Sequence, residues 1–94
     1  MTIISLYEAK SLVRQIAKSG GVALHPHCQI RMEERNVEMD DILYLLNWGE
    51  VGPNPSDETG KRLLVSGTDI EGEPLRASIT FLSMDSLLVI TVMS

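Results

Sequence analysis

Residues 62–93 read RLLVSGTDIEGEPLRASITFLSMDSLLVITVM, three runs rich in apolar and β-branched residues separated by the polar turns DIEGE and SMDS. Runs of this length and composition predict strands, and turns this short can only join antiparallel neighbours, so the segment predicts a three-stranded meander. Successive side chains of a strand point to opposite faces of its sheet. Leu63, Val65, Leu75, Ala77, Ile79 and Phe81 therefore belong to one face, and Arg62, Ser66, Arg76, Ser78 and Thr80 to the other. In the last run Thr91 is the only hydroxyl in either register. The second face is thus hydroxyl-rich with two guanidinium groups, a pattern that a water-facing antiparallel sheet also produces.

A sheet with one apolar face needs a covering layer, and the first half of the chain supplies it. Between Leu6 and Lys18 the apolar residues Leu6, Ala9, Leu12, Val13, Ile16 and Ala17 recur at steps of three and four, which predicts an amphipathic helix. Ser5 followed by Glu8 reads as its capping box, and Ser19-Gly20-Gly21 as its stop. Lys10, Arg14 and Lys18 form a basic stripe along its outer side, the pattern of a solvated face. Val22–Leu24 suits a short strand. His25-Pro26 opens a second helix running to Arg35, because proline fits the first helical position. Asn36 ends that helix. A third runs from about Met39 to Asn47 with Ile42, Leu45 and Leu46 on its buried side, and Trp48-Gly49 closes it. Residues 49–62, GEVGPNPSDETGKR, predict turn and loop around a short strand at Val51, and the most mobile part of the chain.

The expected architecture is therefore a single α+β domain over residues 1–94, with residues 1–21 as an N-terminal helical extension. About three helices cover one face of an antiparallel sheet that ends in the meander. No apolar run approaches the length of a membrane span, and MTIISLYEAK lacks the features of a signal peptide, so the expected compartment is the cytoplasm. The lone Cys28 cannot form an internal disulfide. Net charge is −5, which argues against a protein that coats nucleic acid. The charge is unevenly distributed. Through Arg35, Lys10, Arg14, Lys18, Arg31 and Arg35 stand against Glu8, Glu33 and Glu34, whereas beyond it Lys61, Arg62 and Arg76 stand against ten carboxylates. Such asymmetry suggests a local anionic-ligand site on the first part and an acidic, solvated or partner-facing surface on the second.

HPHCQIRMEER, residues 25–35, concentrates the chain's reactive side chains. On a helix His27, Arg31 and Arg35 lie four apart on one flank, while Cys28 and Met32 lie on its neighbour. An imidazole and two guanidinium groups in line suit a phosphate or carboxylate, because arginine grips such anions in a fork and histidine moves protons near neutral pH. The same spacing also fits a solvated flank whose arginines pair with Glu34 or Glu38. His25, His27 and Cys28 are poorly spaced for zinc, with no fourth histidine or cysteine in the chain, so no metal or other cofactor is expected. Phosphate loops and serine-nucleophile elbows are absent. The enzyme chemistry these residues could support is metal-free acid–base work, as in ribonucleases that activate the substrate's own 2′-hydroxyl. His27, Arg31, Arg62 and Arg76 are the candidate catalytic groups, with Arg35 and Thr91 as candidate substrate contacts.

The H-x-x-x-R-M-x-x-R sequence of His27, Arg31, Met32 and Arg35, the Asn47-Trp48-Gly49-Glu50-Val51 helix end and the closing Val89-Ile90-Thr91-Val92 together resemble a bacterial family of small domains of unknown function grouped near the RelE/ParE and BrnT toxins. The resemblance covers about Val22 to Met93. The additional N-terminal helix is similar in layout to MqsR-like toxins. The resemblance implies a RelE-like α+β fold with helices on one face of a curved antiparallel sheet. It further implies a toxin of a type II toxin–antitoxin pair, acting on mRNA as a metal-independent endoribonuclease with a cognate antitoxin as partner. The alternative from a different class is a non-catalytic RelE-fold domain that binds a partner protein, or its own copy as a homodimer, through a sheet edge or the 50–60 loop.

Overall fold

The computed structural model describes residues 5–94; of the N-terminal extension read over residues 1–21, residues 1–4 lie outside the described residues. Three helices and five strands follow in the order α1 (Leu6–Ser19), β1 (Val22–Leu24), α2 (Pro26–Arg35), α3 (Met39–Trp48), β2 (Glu50–Pro53), β3 (Leu63–Thr68), β4 (Pro74–Phe81) and β5 (Leu87–Met93). The architecture is α+β, with one open sheet in the order β1-β5-β4-β3-β2.

Local signals in the sequence account for most boundaries. Ser5 accepts the Glu8 N–H at the start of α1, and Gly20 ends that helix in the left-handed region at φ 86°. His25 caps α2 through its ring, and Asn36 closes it at φ 55°, a conformation asparagine tolerates better than most residues. At the start of α3 the Asp41 carboxylate takes the Glu38 N–H at 2.9 Å. The predicted strand at Val51 extends over four residues as β2, paired antiparallel with β3.

The sheet departs from expectation in one respect: it is mixed, because β1 runs parallel to β5, with Val22 opposite Leu87 and Leu24 opposite Val89. A parallel pair needs a long crossover, and here everything from α2 to β4 lies between the two strands. Nothing within a three-residue strand specifies its direction. The other pairings are antiparallel, with an irregularity between Ser78 and Ile79 that sets Ser78 opposite Thr91 and Ile79 opposite Val89. Ile90 is the extra residue of this bulge.

One core lies between helices and sheet. Ala9, Leu12, Val13, Ile16 and Ala17 of α1, Cys28 and Met32 of α2, and Ile42, Leu45 and Leu46 of α3 meet Val65, Leu75, Ala77, Ile79, Leu87, Val89 and Val92 of the sheet. Leu63 and Phe81 are partly buried against the same cluster, as the alternation predicts. The opposite sheet face is less open than its polar pattern suggests. Ser78 is only 4% exposed, because Asn54 from the loop after β2 donates to its hydroxyl at 3.0 Å.

That loop, read from sequence as the most mobile segment, is organised by its own side chains. Asn54 takes the Ser56 N–H, Asp57 takes the N–H groups of Thr59 and Arg62, and the Thr80 hydroxyl donates to the Lys61 carbonyl. The Thr59 hydroxyl, helped by the Arg62 and Thr59 N–H groups, holds the Asp57 carboxyl below the usual carboxylate range.

The basic stripe on α1 is likewise not a uniform solvated face. Arg14 reaches across to α3 and donates to the carbonyls of Leu46 at 2.6 Å and Gly49 at 2.9 Å, while Lys10 pairs with Glu50 at 3.5 Å. These cations therefore meet carbonyls and a carboxylate at the end of α3, where the helix dipole favours positive charge.

Candidate functional site

The H-x-x-x-R-M-x-x-R segment forms α2 as predicted, and its burial divides it into two flanks. Cys28 and Met32 point into the core, with Cys28 fully buried. Burial pushes the Cys28 thiol up to about 11, so at neutral pH it is a protonated, apolar packing residue and not a nucleophile. At pH 8 it is expected to resist a thiol reagent until the chain is denatured; rapid labelling of folded protein would overturn this. As pH rises from 9.0 toward 11 the unfolded chain loses this proton first, so stability is expected to fall across that window in a denaturation series.

His27 is exposed on the other flank, with Arg31 and Arg35 one and two turns beyond. His25 does not join them as a second imidazole, because its Nδ1 accepts the His27 N–H at 3.0 Å as the helix cap. Arg31 pairs with Glu34 at 3.5 Å, the pairing that the solvated-flank reading predicts. Arg35 leans toward the sheet and donates to the Ser94 hydroxyl at 2.5 Å. From β4, Arg76 donates to the Ser94 carbonyl through Nε at 3.1 Å and Nη2 at 2.8 Å.

The structure thus brings Arg35 and Arg76 together at Ser94. Thr91 is close by, opposite Ser78, while Arg76 stands opposite Met93 two residues along the same strands. Arg62 is not part of this group. It lies in the loop before β3, where its N–H is held by Asp57, and it adjoins the end of the sheet where Leu63 faces Ile79, not the end where Ser66 faces Arg76. Of the four candidate catalytic residues, His27 and Arg31 share one helix flank, Arg76 belongs to the cluster at the end of β5, and Arg62 lies apart. Sequence could not show this, since residues on the same sheet face can stand several residues apart along the strands.

Beside Arg35 is a cleft of about 430 Å³ lined by Asp41, Asp69, Glu71, Glu73 and Ser94. It is an acidic setting for a predicted phosphate contact. Among the described residues no three His, Cys, Asp or Glu side chains come together as metal ligands.

Two features were missed from the sequence. Ser94 is the meeting point of two arginines, and no local pattern announces it. The second is an exposed aromatic pair on α3: Tyr44 and Trp48, four residues apart, with ring centroids 6.5 Å apart and planes tilted by 47°. This one was readable, because Ile42, Leu45 and Leu46 on the buried side force Tyr44 and Trp48 to the other.

A family model described as Domain of unknown function (DUF4258) matches residues 24–94, which includes the whole of α2, α3 and β2 to β5. The chain belongs to this family. No curated protein and no solved structure matches it. The DUF4258 match begins at the last residue of β1, so α1 lies outside it although five of its residues enter the common core. Membership in a domain family of unknown function agrees with that part of the resemblance noted above, and the match carries no link to the RelE/ParE or BrnT toxins. In the described residues of this DUF4258 chain no helix is long and apolar enough to cross a membrane.

Proposed function

We propose that this DUF4258 chain is a protein-binding domain, the non-catalytic alternative that the sequence suggests, on a RelE-like arrangement of helices over one face of a sheet. The observation that carries this reading is the engagement of its arginines. Arg31 is paired with Glu34, Arg35 and Arg76 hold Ser94, and Arg14 caps α3. A ribonuclease of the 2′-hydroxyl type needs an acid, a base and free positive charge converging on one phosphorus. Here Arg35 and Arg76 are engaged with Ser94, Arg14 with the end of α3 and Arg31 with Glu34, and Arg62 stands apart from the rest. A sheet edge supplies the means of binding. β1 covers β5 only at Leu87–Val89, and beyond Val89 β5 has no strand neighbour on that side among the described residues. An extended segment of a cytoplasmic partner, or of a second copy of the chain, would add there as a strand.

The second reading, a type II toxin that cleaves mRNA and is held by an antitoxin, has a specific observation in its favour. His27 is exposed and in line with Arg31 and Arg35, and Arg35 meets Arg76 beside Thr91.

Induced expression separates the two. Wild-type chain, His27→Ala and Arg31→Ala are expressed at matched soluble levels, following growth and the integrity of mRNA. The expected result is normal growth and intact mRNA in all three. Growth arrest with fragmented mRNA in wild-type cells, relieved by both substitutions, would replace the protein-binding reading with the toxin.

A further inference from the structure

α3 gives Ile42, Leu45 and Leu46 to the core, and the side turned away from it carries the Tyr44–Trp48 pair, 37% and 74% exposed. Tryptophan is highly buried on average, and this is the chain's only one, so its place on an outer face is a feature to explain. Aromatic side chains bring large contact area at little rotamer cost, which is why they dominate contact surfaces between proteins. Asp40 is exposed one turn before Tyr44 on the same side, so the stripe runs Asp40, Tyr44, Trp48 in steps of four.

Charge along this helix runs from negative to positive. Its first turn holds Asp40 and Asp41. At the Trp48 end stand two cations of α1: Arg14 donates to the Leu46 and Gly49 carbonyls, and Lys10 pairs with Glu50 at 3.5 Å. Glu50 offsets Lys10, so the Arg14 guanidinium is the net charge at that end. Glu71 and Glu73 do not enter this balance, because they line the cleft beside Arg35 and Ser94. Laid antiparallel, two such helices match in both respects. Their backbone dipoles oppose, and the Asp40 end of each meets the Arg14 end of the other.

We infer that a second copy of the chain covers this face, with the two α3 helices antiparallel about a two-fold axis beside Tyr44. The stripe has the symmetry this requires. Tyr44 stands midway between Asp40 and Trp48, about 6 Å along the helix from each, so a two-fold axis there sets Asp40 of one copy against Trp48 of the other, twice. The tyrosines meet at the axis, and each tryptophan covers the first turn of the facing helix. A peptide of one charge sign, or RNA, would be matched at one end of the face and repelled at the other, whereas the face fits its own reverse. The inference goes beyond the protein-binding reading and uses none of the β5 edge. A contact between two ten-residue helices is small for an interface, so association is expected in the range of about 1–100 µM.

Sedimentation equilibrium of the full chain from about 1 to 500 µM is expected to show a monomer–dimer equilibrium. Trp48 emission, which reports on this surface alone, is expected to move to shorter wavelength over the same range. Tyr44→Ser and Trp48→Ser are expected to weaken dimerisation about tenfold or more. Asp40→Arg is expected to weaken it and to reverse its response to salt, whereas Glu58→Gln and Asp85→Asn, outside α3, leave it unchanged. Cross-linking reads the orientation. On mild oxidation Tyr44→Cys, at the axis, is expected to form a disulfide-linked dimer, and Asp40→Cys, about 12 Å from its counterpart along the helices, is not. Cys28 is buried and stays out of the reaction. Circular dichroism checks that each variant is folded. A monomer at every concentration overturns the inference. So does a dimer that both serine variants form like wild type, which would place the second copy elsewhere, or one in which Asp40→Cys cross-links as readily as Tyr44→Cys, which would make the helices parallel. A monomer whose Trp48 emission responds to an arginine-rich peptide, a glutamate-rich peptide or oligouridine would give the face to that ligand and overturn it too. None of these outcomes touches the growth and mRNA readout on which the protein-binding reading itself stands.

Discussion

Replacing Gly21 with alanine is expected to destabilise the fold by about 3 kcal/mol, a fall in Tm of roughly 15 °C for a domain of this size. A methyl group at this position would lie 2.0 Å from the Asp85 carbonyl oxygen and 3.1 Å from its carbon. Both are backbone atoms of the turn between β4 and β5 and cannot swing aside as a side chain would. The Gly21 carbonyl also accepts the Leu87 N–H at 2.9 Å, the bond that starts the parallel pairing of β1 with β5. Relief of the clash therefore requires β1 to move away from β5 and loosens the connection between α1 and the sheet. Gly52→Ala is the control, since a methyl group there meets nothing within 4 Å. Thermal and urea denaturation should show a large loss for the first variant and little for the second. Equal stability of Gly21→Ala and wild type would mean that β1 is not seated on β5 as described.

Arg14→Ala comes next, with an expected loss of about 3 kcal/mol, because hydrogen bonds to a charged donor contribute about 1.5–3 kcal/mol each and two are removed together. The substitution leaves the part-buried carbonyls of Leu46 and Gly49 without their guanidinium and removes the positive charge from the C-terminal end of α3. Gly49 cannot compensate by acquiring a side chain. A methyl group there would meet the Leu45 oxygen at 2.7 Å and Val65 at 2.8 Å. Arg14→Lys is expected to recover only part of the loss, since an ammonium cannot span two carbonyls as a planar fork does. Full recovery by lysine in a denaturation series would show that charge alone matters. No loss with alanine would return Arg14 to the solvated stripe that its spacing suggests.

Arg14 also marks the limit of what periodicity conveys. Lys10, Arg14 and Lys18 do share one side of α1, as their spacing of four requires. What stands opposite that side is α3, whose end lies more than thirty residues away in the chain, and no spacing within α1 refers to it. The candidate site divides in the same way. The alignment of His27, Arg31 and Arg35, and the burial of Cys28 and Met32, follow from helical geometry alone. The ion pair of Arg31 with Glu34 was legible because the two residues are three apart. The joint hold of Arg35 and Arg76 on Ser94, and the separation of Arg62 from both, were not. The direction of β1 belongs with these, since the three residues Val22–Leu24 pair as readily in either sense until the helices place them.

By itself, the sequence determined the helices with their caps, the meander and its turns, the alternation that separates core from outer face, and the acidic character of the second half. These are properties of a residue and its neighbours within about one turn of helix or one pleat of strand, where side-chain direction is set by backbone geometry. Only the tertiary structure decided that β1 joins β5 in parallel, that Arg14 caps α3, that two arginines converge on Ser94, and that the 69–73 turn is tied to the start of α3 through Asp41. Each of these joins residues distant in the chain through hydrogen bonds of fixed direction, and such partners are chosen by how whole elements pack around one core.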